Sequence, residues 1–375
     1  MRRTLALLLV IGWLSLGAAR AAPGSPLEGP ILAADSAAQD HITLYDLGTG
    51  AQRVLTFGTG WQHVWDFSPD GCRILFTSSD GSQPASLYSA KLDGSDVTEL
   101  VPASGGSGGW EPQWGADRIA YTQIDAQGKQ RIAWIDPATH ETGLYSSSGN
   151  EQSPRWSPDG KWLVYMAYET RVAGADTFST AAPTRPGQIS TLLSEADLWV
   201  VSADGASKYR LTDFPVGSVR QPRWSPDGEL IGFIYSPAAN NDQFWMIGAA
   251  PDAIPTQLSY NYVLALDLTW LPDSTAMLAS ARGLRNVSTS SLWRIPLTGS
   301  ADQNAAPYLS DPSLVEDDDA RFSADGHWLA LRSQYALALV NTADGSWKWL
   351  DPSARADTPP VWSPAAFKGE AACPP

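Results

Sequence analysis

The chain has 375 residues, 43% of them hydrophobic and 17% charged, enough apolar side chain for a large core and too little charge for a disordered polymer. Forty acids against 25 bases give a formal net charge of −15 at pH 7, a surface that repels nucleic acid and anionic lipid. No nucleic-acid partner and no membrane insertion are expected, and the acidic excess suits a dispersed monomer.

Residues 1–21 read as an export leader: Arg2 and Arg3, an apolar run from Leu5 to Leu16, and a small-residue cleavage site at Ala19-Arg20-Ala21. The run is too short to span a bilayer, and no Cys follows the site to accept a lipid. Cleavage near Ala21 places the mature protein in the periplasm or outside the cell, and loss of three arginines leaves 22 bases against 40 acids, or −18. After a short linker, 22–30, come three strand-like segments, Ile31-Leu32-Ala33-Ala34, Ile42-Thr43-Leu44-Tyr45-Asp46 and Arg53-Val54-Leu55-Thr56.

From Phe67 onward one motif recurs. It reads Phe67-Ser68-Pro69-Asp70-Gly71, Trp156-Ser157-Pro158-Asp159-Gly160 and Trp224-Ser225-Pro226-Asp227-Gly228, with weaker copies at Trp114, Trp270 and Phe322 and a stub, Trp362-Ser363-Pro364. The aromatic residues are spaced 47, 42, 68, 46, 52 and 40 apart, the length of a propeller blade except for one insertion. Pro sets φ for a type I turn and Gly accepts the left-handed conformation that closes it, so each copy is a hairpin turn. Apolar strands such as Trp162-Leu163-Val164-Tyr165 and Asp197-Leu198-Trp199-Val200-Val201 follow. The stub near Trp362 has a first strand before it and no others after it, and the three N-terminal segments are the missing ones. The expected fold is all-β: a seven-bladed propeller of four-stranded antiparallel blades over residues 31–366, closed by a blade shared between the termini, with a tail at 367–375. The alternative is six blades with frayed ends.

WSPDGKWLVY at Trp156–Tyr165 and WSPDGELIGF at Trp224–Phe233 resemble the WD40-like repeat of TolB-type propellers. Similar repeats occur in the propellers of dipeptidyl-peptidase and prolyl-oligopeptidase enzymes. The resemblance implies a propeller that serves as scaffold, gate or enzyme. Two departures shape the expectation. TolB proteins carry a further domain ahead of the propeller and the peptidases carry an α/β-hydrolase domain, and neither is expected here. Partners of those families are therefore not transferred, and a stand-alone exported propeller is expected.

Cys72 follows the first turn and Cys373 lies in the tail leaving the last repeat, so a Cys72–Cys373 disulfide between neighbouring blades is expected. Segments entering the first strand of each repeat converge on one mouth of the central channel. Three residues before each motif aromatic stand Val64, Glu111, Ser153, Gln221, Asp267, Asp319 and Pro359, and one step earlier stand His63, Trp110, Gln152, Arg220, Leu266, Asp318 and Thr358. His63, Trp110, Glu111, Arg220, Asp267, Asp318 and Asp319 are the candidate binding residues. No cofactor is expected, although Asp317, Asp318 and Asp319 are a candidate Ca²⁺ site and the acids suit a cationic peptide. Arg155, Arg223 and Arg321, one residue before their aromatics, are expected to pair with acids of neighbouring blades, and the repeated tryptophans to pack blade on blade.

Other signals have plainer readings. Gly105-Gly106-Ser107-Gly108-Gly109 fits a nucleophile-elbow pattern without the strand and helix it needs. The four histidines lack zinc spacing. Asn286-Val287-Ser288 is an isolated glycosylation triplet, and the insertion at about 170–196 is an ornament. The expected function is a non-enzymatic exported scaffold that binds a protein, peptide or glycan partner. A lyase, lactonase or glycosidase using Glu111, Asp267 and Asp319, and an accessory propeller for a separate peptidase, are the alternatives.

Overall fold

The computed structural model describes residues 25–36, 38–80, 85–104, 107–146, 149–172, 192–261, 263–287, 289–309, 311, 313–314, 317–334, 336–351 and 358–374. The expected leader at 1–21, the centre of the insertion, Ser288 and Glu316 lie outside them.

The recurring turn owes its geometry to its serine. Ser68 Oγ donates to Asp70 at 2.6 Å and accepts the Arg73 N–H at 2.9 Å, while Gly71, at φ +74°, donates its N–H to the Ser68 carbonyl. Ser157, Ser225 and Ser323 repeat the arrangement with Asp159, Asp227 and Asp325, and each hydroxyl accepts the N–H five residues on. All four serines are buried, so the hydroxyl satisfies a donor that would otherwise be orphaned where the next strand begins.

Each turn joins two successive antiparallel strands, and five four-stranded antiparallel sheets form beside one larger sheet. One holds Trp61–Phe67, Arg73–Ser79, Ser86–Lys91 and Thr98–Val101, and the next Gly108–Trp114, Ile119–Ile124, Gln130–Ile135 and Thr142–Leu144. A third holds Leu264–Trp270, Ala276–Arg282, Ser291–Pro296 and Ala306–Pro307, and a fourth Asp317–Phe322, Trp328–Ser333, Ala336–Asn341 and Trp347–Asp351. The fifth draws on both ends of the chain: Val361–Trp362 pairs with Ile31–Asp35, which continues to Ile42–Asp46 and Gln52–Leu55.

The remaining strands, within residues 151–257, form one eight-stranded sheet. The expectation of seven separate four-stranded blades, or of six, is corrected accordingly. The physical reason is length. Trp162–Val172 and Leu192–Ser202 are eleven-residue strands paired out to Val172 and Leu192, and the extension brings Ala196 into a single parallel pairing with Ser218 of the next first strand.

First strands touch in chain order, from Trp61–Phe67 through Gly108–Trp114, Glu151–Trp156, Ser218–Trp224, Leu264–Trp270 and Asp317–Phe322 to Val361–Trp362, which touches Trp61–Phe67. The sheet made from both ends is buried on two sides, because its side chains alternate. Leu32, Ala34 and Tyr45 pack on Ala330, Leu337 and Leu339, while Ile31, Ala33 and Leu44 pack with Val64, Phe67 and Phe76. Motif tryptophans link successive repeats by hydrogen bonds as well as packing: the indole N–H of Trp224, Trp270 and Trp362 donates to the carbonyl of Arg155, Arg223 and Arg321 respectively.

The C-terminal segment fastens this sheet. Phe367 is buried, and a Cβ on Gly71 would fall 2.6 Å from its own Cβ, so only glycine fits there. Glu370 accepts from the Leu27 N–H at 2.9 Å and from Arg53 at 2.7 Å. Cys72 and Cys373 form a disulfide with Cα atoms 5.6 Å apart. Cys373→Ser should lower stability by about 2–4 kcal/mol and Phe367→Ala by about 3 kcal/mol, measured by urea unfolding. Unchanged midpoints would mean that the tail contributes nothing to the fold.

Candidate functional site

First strands carry a bulge shortly before the motif aromatic. Pairing with the second strand shifts between Trp110 and Gln113, Gln152 and Arg155, Arg220 and Arg223, and Asp318 and Arg321. Two residues in each stand outside the ladder, and the first of them, Glu111, Ser153, Gln221 or Asp319, has left-handed φ between 46° and 59°. Pro112, Pro154 and Pro222 follow three of these, and proline has no N–H to leave unpaired. The bulge re-aims the side chains toward the axis. Glu111, Ser153, Gln221 and Asp319 accordingly line one cavity of about 390 Å³ with Asp267 and Pro359.

Val64 breaks the pattern. In its strand the shift lies between Val64 and Asp66, so a single residue, Trp65, is displaced, and Trp65 lines the cavity instead. His63 lies within the Trp61–Phe67 strand rather than in a connector. Trp61 and Trp110 stack with centroids 5.7 Å apart and planes 11° from parallel, and Trp65 meets both His63 and Trp110 edge-on. Together these rings form one wall of the mouth.

Behind the wall, His63 Nδ1 contacts buried Asp35, which also accepts from the Val64 N–H and the Thr358 hydroxyl, both at 2.8 Å. The imidazole is thereby oriented, and its Nε2 has no protein partner among the described residues. A histidine held this way is suited to hydrogen bonding or to general-base work.

Three arginines complete the site. Arg155, Arg223 and Arg321 line the cavity, and Arg155 and Arg223 also border an opening of about 560 Å³ on the turn side, so they stand at the waist of the channel. Arg321 engages Asp267, as expected for neighbouring repeats, and burial is overcome by Asp267 and Asp319, which raise its pKa. Arg223 comes only to 3.7 Å from Asp267, and Arg155 makes no carboxylate pair within 4.0 Å among the described residues. Burial, together with Arg321 and Arg155, pushes Arg223 down to about 9, still protonated at neutral pH. Burial lowers Arg155 as well, and burial with the Asp267 charge raises Asp319.

Of the seven candidates, His63, Trp110, Glu111, Asp267 and Asp319 meet in the cavity, and two stand aside. Arg220 donates to Asp242 and to the Ala265 carbonyl, both at 2.8 Å, tying its strand to the next repeat. Asp318 lies 3.2 Å from Arg332 Nε, and Asp319 is also bound by Arg332. These pairs occupy the carboxylates of the Ca²⁺ candidate, the Asp317 side chain lies outside the described residues, and no cluster of three His, Cys, Asp or Glu able to hold a metal occurs among the described residues. Trp61, Trp65 and Gln39 were not among the candidates. The single-residue bulge hid Trp65, and Gln39 arrives from the turn between Ile31–Asp35 and Ile42–Asp46 by tertiary contact alone.

No protein-family model matches the chain. It is 29% identical over 134 residues to the uncharacterized protein Atu1656 of Agrobacterium fabrum, covering 33% of this chain and 45% of that protein. The uncharacterized peptidase YuxL of Bacillus subtilis is 25% identical over 260 residues, 67% of this chain and 32% of YuxL, and a TolB homologue of Chlorobium chlorochromatii is 33% identical over 101 residues, 27% and 22%. The chain thus spans less than half the length of each of these relatives. Among solved structures, TolB of Acinetobacter baumannii matches with TM-score 0.50 and 15% identity over 89% of this chain and 66% of that one. An oligogalacturonate lyase in complex with manganese matches at 0.57 and 13% over 88% and 85%, and a prolyl endopeptidase at 0.59 and 13% over 87% and 49%. At these identities the structural matches show the fold alone.

Asp66, at the turn-side opening, makes the stability of the fold sensitive to pH. Burial pushes its carboxyl up to about 6 from 3.8, although the N–H groups of Trp114 and Phe67 donate to it at 2.9 and 2.8 Å. Between these two values the folded state holds a proton that the unfolded chain has released, so this group favours folding in full below 3.8 and loses that contribution as pH rises through 6. Melting curves at successive pH values should show the wild type gaining stability relative to Asp66→Asn as pH falls from 6 to 4. Parallel curves would assign Asp66 an ordinary pKa.

Proposed function

Because the chain is a β-propeller of the TolB type, we propose that it is an exported, non-enzymatic scaffold that binds a ligand or partner at the mouth of its channel. The observation carrying this reading is the convergence of bulged residues from successive repeats, with a four-ring aromatic wall, on one cavity of about 390 Å³. Aromatic anchors beside a few oriented polar groups are the usual composition of a binding pocket. The disulfide and the leader-like sequence of residues 1–21 support an oxidising, extracytoplasmic location.

We further propose that the eight-stranded sheet counts as two blades of a ring of seven closed by the sheet from both chain ends. Each half carries its own motif turn and its own two-residue bulge, and a single parallel pair joins them.

A second reading is favoured by one feature, the Asp35–His63 pair facing the cavity. An oriented imidazole with a free nitrogen is the general base that a propeller hydrolase or lyase would use. Capture experiments separate the two. Immobilised wild type should retain a partner from an extracytoplasmic extract, and Trp110→Ala should reduce retention at least about tenfold with an unchanged melting temperature. Equal capture by the Trp110 variant would exclude the mouth as the site, and consumption of a captured ligand that stops in His63→Gln would favour the enzyme.

A further inference from the structure

The charges at the mouth are unevenly satisfied. Its carboxylates have partners: Glu111 accepts the Ser153 hydroxyl at 2.6 Å, Asp267 accepts from Arg321, and Asp319 accepts from Arg332. Two of its guanidinium groups lack a hydrogen-bonded carboxylate, Arg223 coming only to 3.7 Å from Asp267. Arg155 donates to the Pro154 carbonyl at 2.7 Å and Arg223 to the Pro222 carbonyl at 3.4 Å, each the residue immediately before it. That tether orients the side chain and leaves most of the five N–H donors of each group unused. Neither forms a hydrogen bond to a carboxylate among the described residues, and the Arg223 charge is disfavoured first by burial and then by Arg321 and Arg155, against the opposing pull of Asp267 and Glu111. An incoming anion would relieve that repulsion.

Two buried acceptors in the same cavity have no hydrogen-bond donor among the described residues, although one of them, Asp267 Oδ1, faces the Arg223 guanidinium at 3.7 Å. Gln221 directs its Nε2 to the Leu266 carbonyl at 3.0 Å, leaving Oε1 without a hydrogen bond, and Asp267 Oδ1 also lacks one. Buried acceptors are costly unless water or a ligand supplies hydroxyl or N–H groups. The acidic surface of the protein, −15 in total, opposes a large polyanion at long range, so the anion that fits is small.

Building on the reading of the mouth as a binding site, we propose that it takes a small molecule carrying a carboxylate beside a ring. The carboxylate is received between Arg155 and Arg223, a hydroxyl or N–H of the ligand meets Gln221 Oε1 or Asp267 Oδ1, and the ring face lies on Trp61 and Trp110. A sugar acid and an acylated aromatic amino acid share this chemistry.

Calorimetric titration with D-glucuronate against D-glucose, and with N-acetylphenylalanine against its amide, distinguishes the two sources. In at least one pair the wild type should bind the acid about tenfold or more tightly than its neutral counterpart. Arg155→Met and Arg223→Met should each abolish that preference, and Arg155→Lys should keep part of it and report on the charge if a methionine variant fails to fold. Equal binding of acid and neutral compound, or no binding of either acid, overturns the inference. If partner capture still depends on Trp110 in that case, the mouth remains the binding site and only the carboxylate is lost; if capture fails too, the underlying reading falls with it.

Discussion

Ser363 carries the constraint on which the molecule depends. In the other motif copies the serine hydroxyl accepts the N–H of the residue that opens the next strand, five positions along. Ser363 accepts the N–H of Ile31 at 3.0 Å, and its own N–H donates to the Ile31 carbonyl at 2.8 Å. The same pair of hydrogen bonds thus joins residues 332 apart. Pairing of Leu32 with Trp362, the packing of Phe367 against Gly71 and the Cys72–Cys373 bond all follow from that local geometry. A hydrogen bond worth about 1 kcal/mol could not do this alone, and the buried faces on both sides of the sheet supply the remainder.

The channel mouth depends on a departure from regular structure. A flat first strand would present alternate side chains to its neighbours and nothing in particular to the axis. Displacing two residues from the ladder turns Glu111, Ser153, Gln221 and Asp319 inward, at the cost of left-handed backbone at residues other than glycine. Such strain persists because the surrounding sheets are rigid. The same bulge orients the following arginine through the carbonyl just before it, so one distortion positions both an inward polar group and a guanidinium.

Much of this was legible in the sequence because the repeat sets a phase. Counting back from the motif aromatic found Glu111, Asp267 and Asp319, which share the cavity, and the turn chemistry of Ser68, Pro69, Asp70 and Gly71 located the strand boundaries. Where a first strand displaces one residue instead of two, phase is an uneven guide: Val64 was indicated and Trp65 lines the cavity, whereas Asp267, beside displaced Leu266, lines it as indicated. Arg220 and Asp318 have the right position in the repeat, yet each is occupied by an ion pair, with Asp242 and with Arg332, that spacing cannot reveal. The merging of two sets of strands into one sheet depends on how far the flanks of the insertion continue to pair, a tertiary outcome with no mark in composition.

Joining the chain's distant ends in one sheet also governs the order of assembly. Ile31–Asp35 is synthesised early, but one of its edges waits for Val361–Trp362. Contacts of such long sequence separation form slowly, and an unpaired edge strand is a point of self-association. In a nascent molecule that edge therefore stays unpaired until Val361–Trp362 emerges, and the early strand needs protection until then.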